Sequence, residues 1–202
     1  MKDERIGIFG GTFSPPHLGH ARALSAFLEQ EKPDRMLVIP TAIPPHKQPK
    51  GDADPSQRLA LCHLAFDSLG VCVSDIEIAR GGKSYTVETL EQLSTHGRRL
   101  ILLCGTDMFL SLDTWYKAQQ IFALAEIVYA RRENDAACEK LLAEKAEEYK
   151  TRFGAIIRPL AVNVLELSSS EVRDAIAQGK NTASFLHPDV GRYIEKCRLY
   201  QA

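Results

Sequence analysis

The chain has 202 residues, 45% hydrophobic and 25% charged, with a formal net charge of −1. That length suits one well-buried domain, expected over 1–202 with a helical C-terminal part from about residue 168, and it is too short for two of ordinary size. No apolar run approaches the twenty residues of a membrane span, and the scattered Lys and Arg lack the clustered footprint that grips a polynucleotide, so neither a membrane nor a nucleic-acid partner is expected.

The chain enters a strand-like run, "RIGIF" from Arg5 to Phe9, almost at once, with nothing before it that reads as a signal peptide. The helix after it, from His20, places Ala21, Leu24, Phe27 and Leu28 on one face. "RMLVIP" (Arg35 to Pro40) reads as a second strand, followed by the long proline-rich loop "TAIPPHKQPKGDADP". Asp54 then caps a helix with Pro55 at its first position and Gln57 closing a capping box, its apolar side carried by Leu59, Leu61, Cys62, Ala65, Phe66 and Leu69. "VCVSDIEIA" (Val71 to Ala79) alternates and predicts a strand, "RGGKS" a turn, and Thr86 to Thr95 a helix stopped by Gly97. "RLILLCG" (Arg99 to Gly105) is the run expected at the centre of a sheet, buried on both faces.

Another strand follows, ending near Ala130, and then the character changes. Glu133 to Phe153 is rich in Glu, Lys and Ala with a thin stripe of Leu141, Leu142 and Tyr149, the pattern of a mostly solvated helix to which no chemistry is assigned. "AVNVLEL" resumes a strand, and the next helix has Ser168 as its cap, Glu171 closing the box and Gly179 as its stop. "PDVGRYIEKCRLY" closes the chain as a short helix. Strands alternating with helices and no internal repeat predict an α/β fold, Rossmann-like and doubly wound, with a mostly parallel sheet covered on both faces. Ligands of such sheets bind beyond the carboxyl ends of the strands, where "GGTFSPPHLGH", "CGTD" and "SSSEVR" should converge.

The five cysteines are odd in number and show neither metal-knuckle nor C-x-x-C spacing, so they read as reduced thiols of a cytoplasmic protein. Glycines after the first strand let the backbone bend towards a ligand, and the following helix start offers N–H groups to phosphate. Gly7, Gly10 and Gly11 do not fit the dinucleotide fingerprint, and no G-x-x-x-x-G-K-[ST] loop is present. What remains is His17-Leu18-Gly19-His20, with both imidazoles on one side of a helix start. A zinc site would need a third ligand that this helix does not offer, so no protein-held metal is expected.

These residues carry a resemblance. "GGTFSPPHLGH" resembles the G-x-F-[DN]-P-x-H-x-G-H signature of the nucleotidyltransferase superfamily, and "LSSSEVR" resembles its second signature. Within it the chain is similar over nearly its whole length to the bacterial nicotinate-nucleotide adenylyltransferase family, through "IPPHK", "KSYTVETL", "GTDMF", "TWY" and "HPDVGRYIEKCRLY" in that order. One departure is Ser14, where the signature has aspartate or asparagine. The resemblance implies ATP and nicotinate mononucleotide as substrates, nicotinate adenine dinucleotide and pyrophosphate as products, and Mg2+ arriving with ATP. It implies His17, His20, Arg173 and Lys47 as catalytic residues. It puts Gly10, Gly11, Thr12, Phe13, Gly19, Gly105, Ser168, Ser169 and Ser170 around ATP, and Tyr85, Thr86, Asp107, Trp115, Tyr116 and Arg132 around the mononucleotide. Trp115 is also the natural stacking platform on residue grounds, being a lone tryptophan between polar neighbours in a loop.

Three rivals stand beside this reading. One is a sister adenylyltransferase for the amidated mononucleotide or phosphopantetheine, and acid against amide stays open at this stage. Another is a non-catalytic nucleotide-binding relative, supported only by Ser14. A third, a fragment of a class I aminoacyl-transfer RNA synthetase, lacks the basic surface RNA requires. A homo-oligomer is compatible with all of them.

Overall fold

A computed structural model describes residues 3–45, 53–132, 136–164 and 167–201. Among the described residues six strands form one sheet, β1 (Glu4–Gly11), β2 (Arg35–Pro40), β3 (Cys72–Val73), β4 (Arg98–Cys104), β5 (Ala125–Arg132) and β6 (Ile157–Val164). Their order is β3-β2-β1-β4-β5-β6, and every pairing is parallel, so the expected mostly parallel sheet is wholly parallel among the described strands. The order reverses between β1 and β4, the switch point at which such sheets open a crevice.

The helices are α1 (Leu18–Glu31), α2 (Pro55–Phe66), α3 (Ile76–Arg80), α4 (Thr86–Leu93), α5 (Thr106–Leu110), α6 (Ala118–Leu124), α7 (Ala136–Phe153), α8 (Ser169–Ala177) and α9 (Pro188–Cys197). Period-two alternation sorts the core into two layers. Phe9, Met36, Val38, Ile101, Leu103 and Val128 face α1, α2, α8 and α9, burying Phe27, Phe66, Val172 and Ile194. Ile6, Ile8, Leu37, Ile39, Leu100 and Leu102 face α4 to α7, burying Leu90, Phe109, Ile121 and Tyr149. Both expected capping boxes form. Asp54 Oδ1 accepts from the Gln57 N–H at 2.9 Å, and Ser168 Oγ accepts from the Glu171 N–H at 3.1 Å.

Gly7 sits between these strands for want of space. A Cβ there would lie 2.7 Å from Phe27 Cε1 and collide with the Met36 sulfur as well. Gly7→Ala is therefore expected to destabilise the fold by about 1–3 kcal/mol through overpacking, read as a lower midpoint in urea.

Three expectations need correction. The strand predicted from Val71 to Ala79 is only the two-residue β3, after which Ile76 to Arg80 wind into α3. Alternation suggested a strand, but the helix lets Glu77 and Arg80 meet Thr89 on α4, a polar contact that sequence periodicity cannot register. The helix predicted from Glu133 is mostly solvated, as its composition implies, but its buried stripe does not include Leu141. Tyr149 is fully buried and Leu142 and Ala146 pack beneath it, whereas Leu141 is 44% exposed. Helix α4 also ends at Leu93, two residues short of the predicted Thr95, with Gly97 in the left-handed region beyond it.

Candidate active site

The turn after β1 delivers His17 and His20 to the start of α1. The two residues cap that helix for each other: His17 Nδ1 accepts from the His20 N–H at 3.3 Å, and His20 Nδ1 accepts from the His17 N–H at 3.2 Å. Their rings stack with centroids 3.7 Å apart. A nitrogen that accepts cannot carry the proton, so each neutral imidazole holds its N–H at Nε2, turned away from the helix backbone. His20 packs edge-on to Phe13 at 5.1 Å, and Phe13 reaches that position with φ of 50°, in the left-handed region. Gly11 leaves room for its ring, since a Cβ there would come within 3.0 Å of it.

Burial pushes the His17 pKa down to about 4 from its usual 6.5, against an opposing pull from Glu171, and burial with the neighbouring His17 lowers His20 well below the same value. Both rings are therefore neutral in the folded protein near pH 7. The unfolded chain binds these protons first as pH falls. Stability held by His17 is thus complete above about pH 6.5 and is lost between there and pH 4, a contribution on the order of 3 kcal/mol with His20 acting in the same direction. Thermal melts from pH 7.5 to 4.5 should show the melting temperature falling across that window, and a flat profile would contradict the buried pair.

The start of α8 closes on the same turn. Arg173 Nη1 donates to the Ser14 carbonyl at 2.7 Å and Nη2 to Ser170 Oγ at 3.1 Å, while Ser169 Oγ donates to the Pro15 carbonyl at 2.9 Å. His17, His20, Ser169, Ser170 and Arg173 thus gather around one loop, as their positions after the first and last strands led us to expect. Ser14 is buried, its hydroxyl 3.1 Å from the Tyr200 hydroxyl, so the residue that departs from the signature ties the turn to the C-terminal segment. Arg58, absent from the sequence-based list, is 3% exposed and donates to the carbonyls of Thr12 at 2.9 Å and Ala42 at 2.8 Å, binding the glycine turn to the loop after β2. Its buried position on an otherwise apolar helix side gave no sequence signal.

Beside this turn lies a cavity of about 300 Å³. Of the expected residues it is lined by Gly10, Gly11, Thr12, Tyr85, Thr86, Trp115 and Tyr116. Tyr85 and Tyr116 stack obliquely at 4.7 Å, and Trp115 lines the cavity while packing on the cluster that holds Phe109 and Leu112. Its loop is anchored from behind. The Tyr149 hydroxyl lies 3.0 Å from both the Phe109 carbonyl and Asp113 Oδ1, and Lys145 Nζ donates to Asp113 Oδ2 at 3.2 Å, so α7 fixes the chain two residues before Trp115.

Other expected residues fall outside the cavity lining. Phe13 is core, Gly19 is buried in α1, and Gly105 precedes the exposed Asp107 at the start of α5. Ser168 serves as the cap of α8. Arg132 ends β5, its side chain outside the described residues, and Lys47 lies outside them altogether. The lining residues that sequence reasoning missed include Ile8, Ile39 and Leu102 at the strand ends, Pro44 and Pro45, and Glu77 with Thr89. Pro44 and Pro45 lie in "IPPHK", but nothing local marked the apolar strand ends or Glu77.

The cytidylyltransferase-like family model matches residues 8–175. The chain is 33% identical to a "Probable nicotinate-nucleotide adenylyltransferase" of Desulfatibacillum aliphaticivorans, covering 97% of this chain and 99% of that one. It is 36% identical to a protein of the same name from a Shewanella strain, over 97% and 99%. Among solved structures it resembles Plasmodium falciparum nicotinic acid mononucleotide adenylyltransferase complexed with NaAD, with a TM-score of 0.73 at 16% identity over 98% and 97% of the two chains. At that identity the likeness speaks for the fold.

Proposed function

This chain belongs to the cytidylyltransferase-like family and, within it, to the nicotinate-nucleotide adenylyltransferases, and from that membership we infer that it transfers the adenylyl group of ATP to nicotinate mononucleotide, forming nicotinate adenine dinucleotide and pyrophosphate in NAD biosynthesis. The observation that carries the reading is the gathering of His17, His20 and the Arg173-bearing start of α8 around one turn, beside a cavity walled by Trp115, Tyr85 and Tyr116.

A phosphate oxygen of the mononucleotide attacks the α-phosphorus of ATP, the bond to the bridging oxygen breaks, and pyrophosphate leaves. The attacking oxygen is already anionic, so no strong base is needed; alignment and charge stabilisation supply the rate. We assign the Nε2–H groups of His17 and His20 to the α- and β-phosphates, as neutral donors rather than cations. Arg173, with the backbone N–H groups of Ser169 and Ser170, is assigned to the far end of the triphosphate, and Lys47 to the phosphates on the resemblance alone. Gly10, Gly11, Thr12 and Gly105 leave the strand ends open to ATP. In the acceptor cavity the ring stacks on Trp115, with the backbone of Thr86 and Tyr116 taking its carboxylate and Asp107 a ribose hydroxyl.

Magnesium arriving with ATP would neutralise phosphate charge, held mostly by phosphate oxygens and water. None of the five cysteines, all among the described residues, is in a disulfide, and we propose a reducing, cytoplasmic setting for the chain. Among the described residues no helix is long and apolar enough to cross a membrane.

The decisive experiment supplies purified protein with ATP, magnesium and either mononucleotide, and follows dinucleotide and pyrophosphate. Formation of the acid dinucleotide well ahead of the amide is expected. Comparable turnover of the amide would overturn the acid assignment, and no turnover of either would overturn the transferase.

A further inference from the structure

Glu77 is, among the described residues, the one acidic side chain lining the cavity. It is 5% exposed. Oε1 accepts from Thr89 Oγ1 at 2.7 Å, and Thr89 Oγ1 in turn accepts from Arg80 Nη2 at 3.0 Å. Oε2 is buried without any hydrogen-bond partner. Arg80 reaches this carboxylate only through Thr89: its Nη1 faces Gln92, and its Nε, itself buried without a hydrogen-bond partner, lies 3.7 Å from Glu88 on α4. A buried carboxylate oxygen without a partner costs free energy, and beside a cavity its charge is felt by whatever binds there.

The rest of the wall narrows the chemistry. Trp115, Tyr85 and Tyr116 offer faces for a flat ring, and Ile8, Leu90 and Leu102 an apolar bed. The substrate ring of the proposed reaction is a pyridinium, positively charged because its nitrogen is bonded to ribose. It has no N–H to donate, but it carries charge and polarised C–H edges, which a carboxylate attracts. We propose that Glu77 is the counter-charge for this ring, so that the cavity selects the cationic, oxidised form of the mononucleotide over its neutral 1,4-dihydropyridine form. This rests on the function proposed above. The same charge repels the ring's own carboxylate, which turns that group away from Glu77 and towards the N–H groups at the start of α4. Thr89 acts as a positioning residue, holding the carboxylate through Oε1.

Calorimetric binding of the pyridinium mononucleotide and its dithionite-reduced 1,4-dihydro form separates these ideas. The wild-type protein is expected to prefer the pyridinium by about tenfold or more. Glu77→Gln, which still accepts from Thr89, should lose most of that preference by weakening the pyridinium alone, with the KM for ATP unchanged. Glu77→Asp retains the charge and should keep the preference; it also serves if the Gln variant does not fold. Equal binding of the two forms by the wild type, an unaltered preference in Glu77→Gln, or loss of preference in Glu77→Asp would each overturn the proposal. Turnover is measured separately. A wild type that forms no dinucleotide refutes the transferase reading whatever the binding ratio, while an active wild type indifferent to ring charge refutes only the role of Glu77.

Discussion

His17→Asn is expected to lower kcat about a hundredfold or more while leaving the melting curve close to that of the wild type. Asparagine is among the best helix caps, so its side-chain oxygen can replace Nδ1 as acceptor for the His20 N–H. It brings no donor to the place where Nε2–H stands. The substitution therefore divides the two tasks that one ring performs, holding the helix and donating to phosphate. His17→Ala removes both and should add a stability loss of about 1 kcal/mol to the same fall in rate. Pyrophosphate release at saturating ATP and mononucleotide reads the first effect and thermal denaturation the second. Full activity in His17→Asn would mean that the imidazole only caps α1. The buried rings also imply that the wild-type rate carries no His17 titration near 6.5, since its pKa lies at about 4.

Arg173→Met should cost about a hundredfold in kcat/KM for ATP. The guanidinium spans two partners at once, the Ser14 carbonyl of the glycine turn and the Ser170 hydroxyl of its own helix, so its fork is held before any substrate arrives. Methionine fills similar space without charge or donors. Arg173→Lys restores the charge but cannot bridge the same two oxygens in one plane, and it should recover only part of the loss. The mononucleotide KM should move less than that of ATP in both variants. An equal effect on the two substrates would place Arg173 in the scaffold rather than at the triphosphate.

Much of this was legible in the chain itself, because the relevant signals are local. Asp54 with Gln57 and Ser168 with Glu171 are three-residue patterns, and both form the capping boxes their spacing announced. The apolar run from Leu100 to Cys104 needed two covered faces and has them. What escaped depends on partners far along the chain. Glu77 and Thr89 meet across a helix pair, and Arg58 joins loops 46 and 16 residues away, so no window of sequence held either contact. The protonation of the histidines escaped for a similar reason. Their spacing put them on one side, but only the packing of Phe9 and Phe13 around His20, and the burial of His17, makes both rings neutral. In the sequence Tyr149 is one member of a thin apolar stripe, yet its hydroxyl steadies the loop of Trp115 from a helix whose composition carries no chemistry of its own.

The reciprocal cap at the head of α1 has an implication for design. Because each ring takes its acceptor duty from a backbone amide three positions away, the tautomers are written into four consecutive residues rather than imposed by the surrounding protein. A designer grafting His17 through His20 onto the first turn of an unrelated helix should therefore inherit the tautomer of both rings, and must bury them as well if the pair is to stay uncharged.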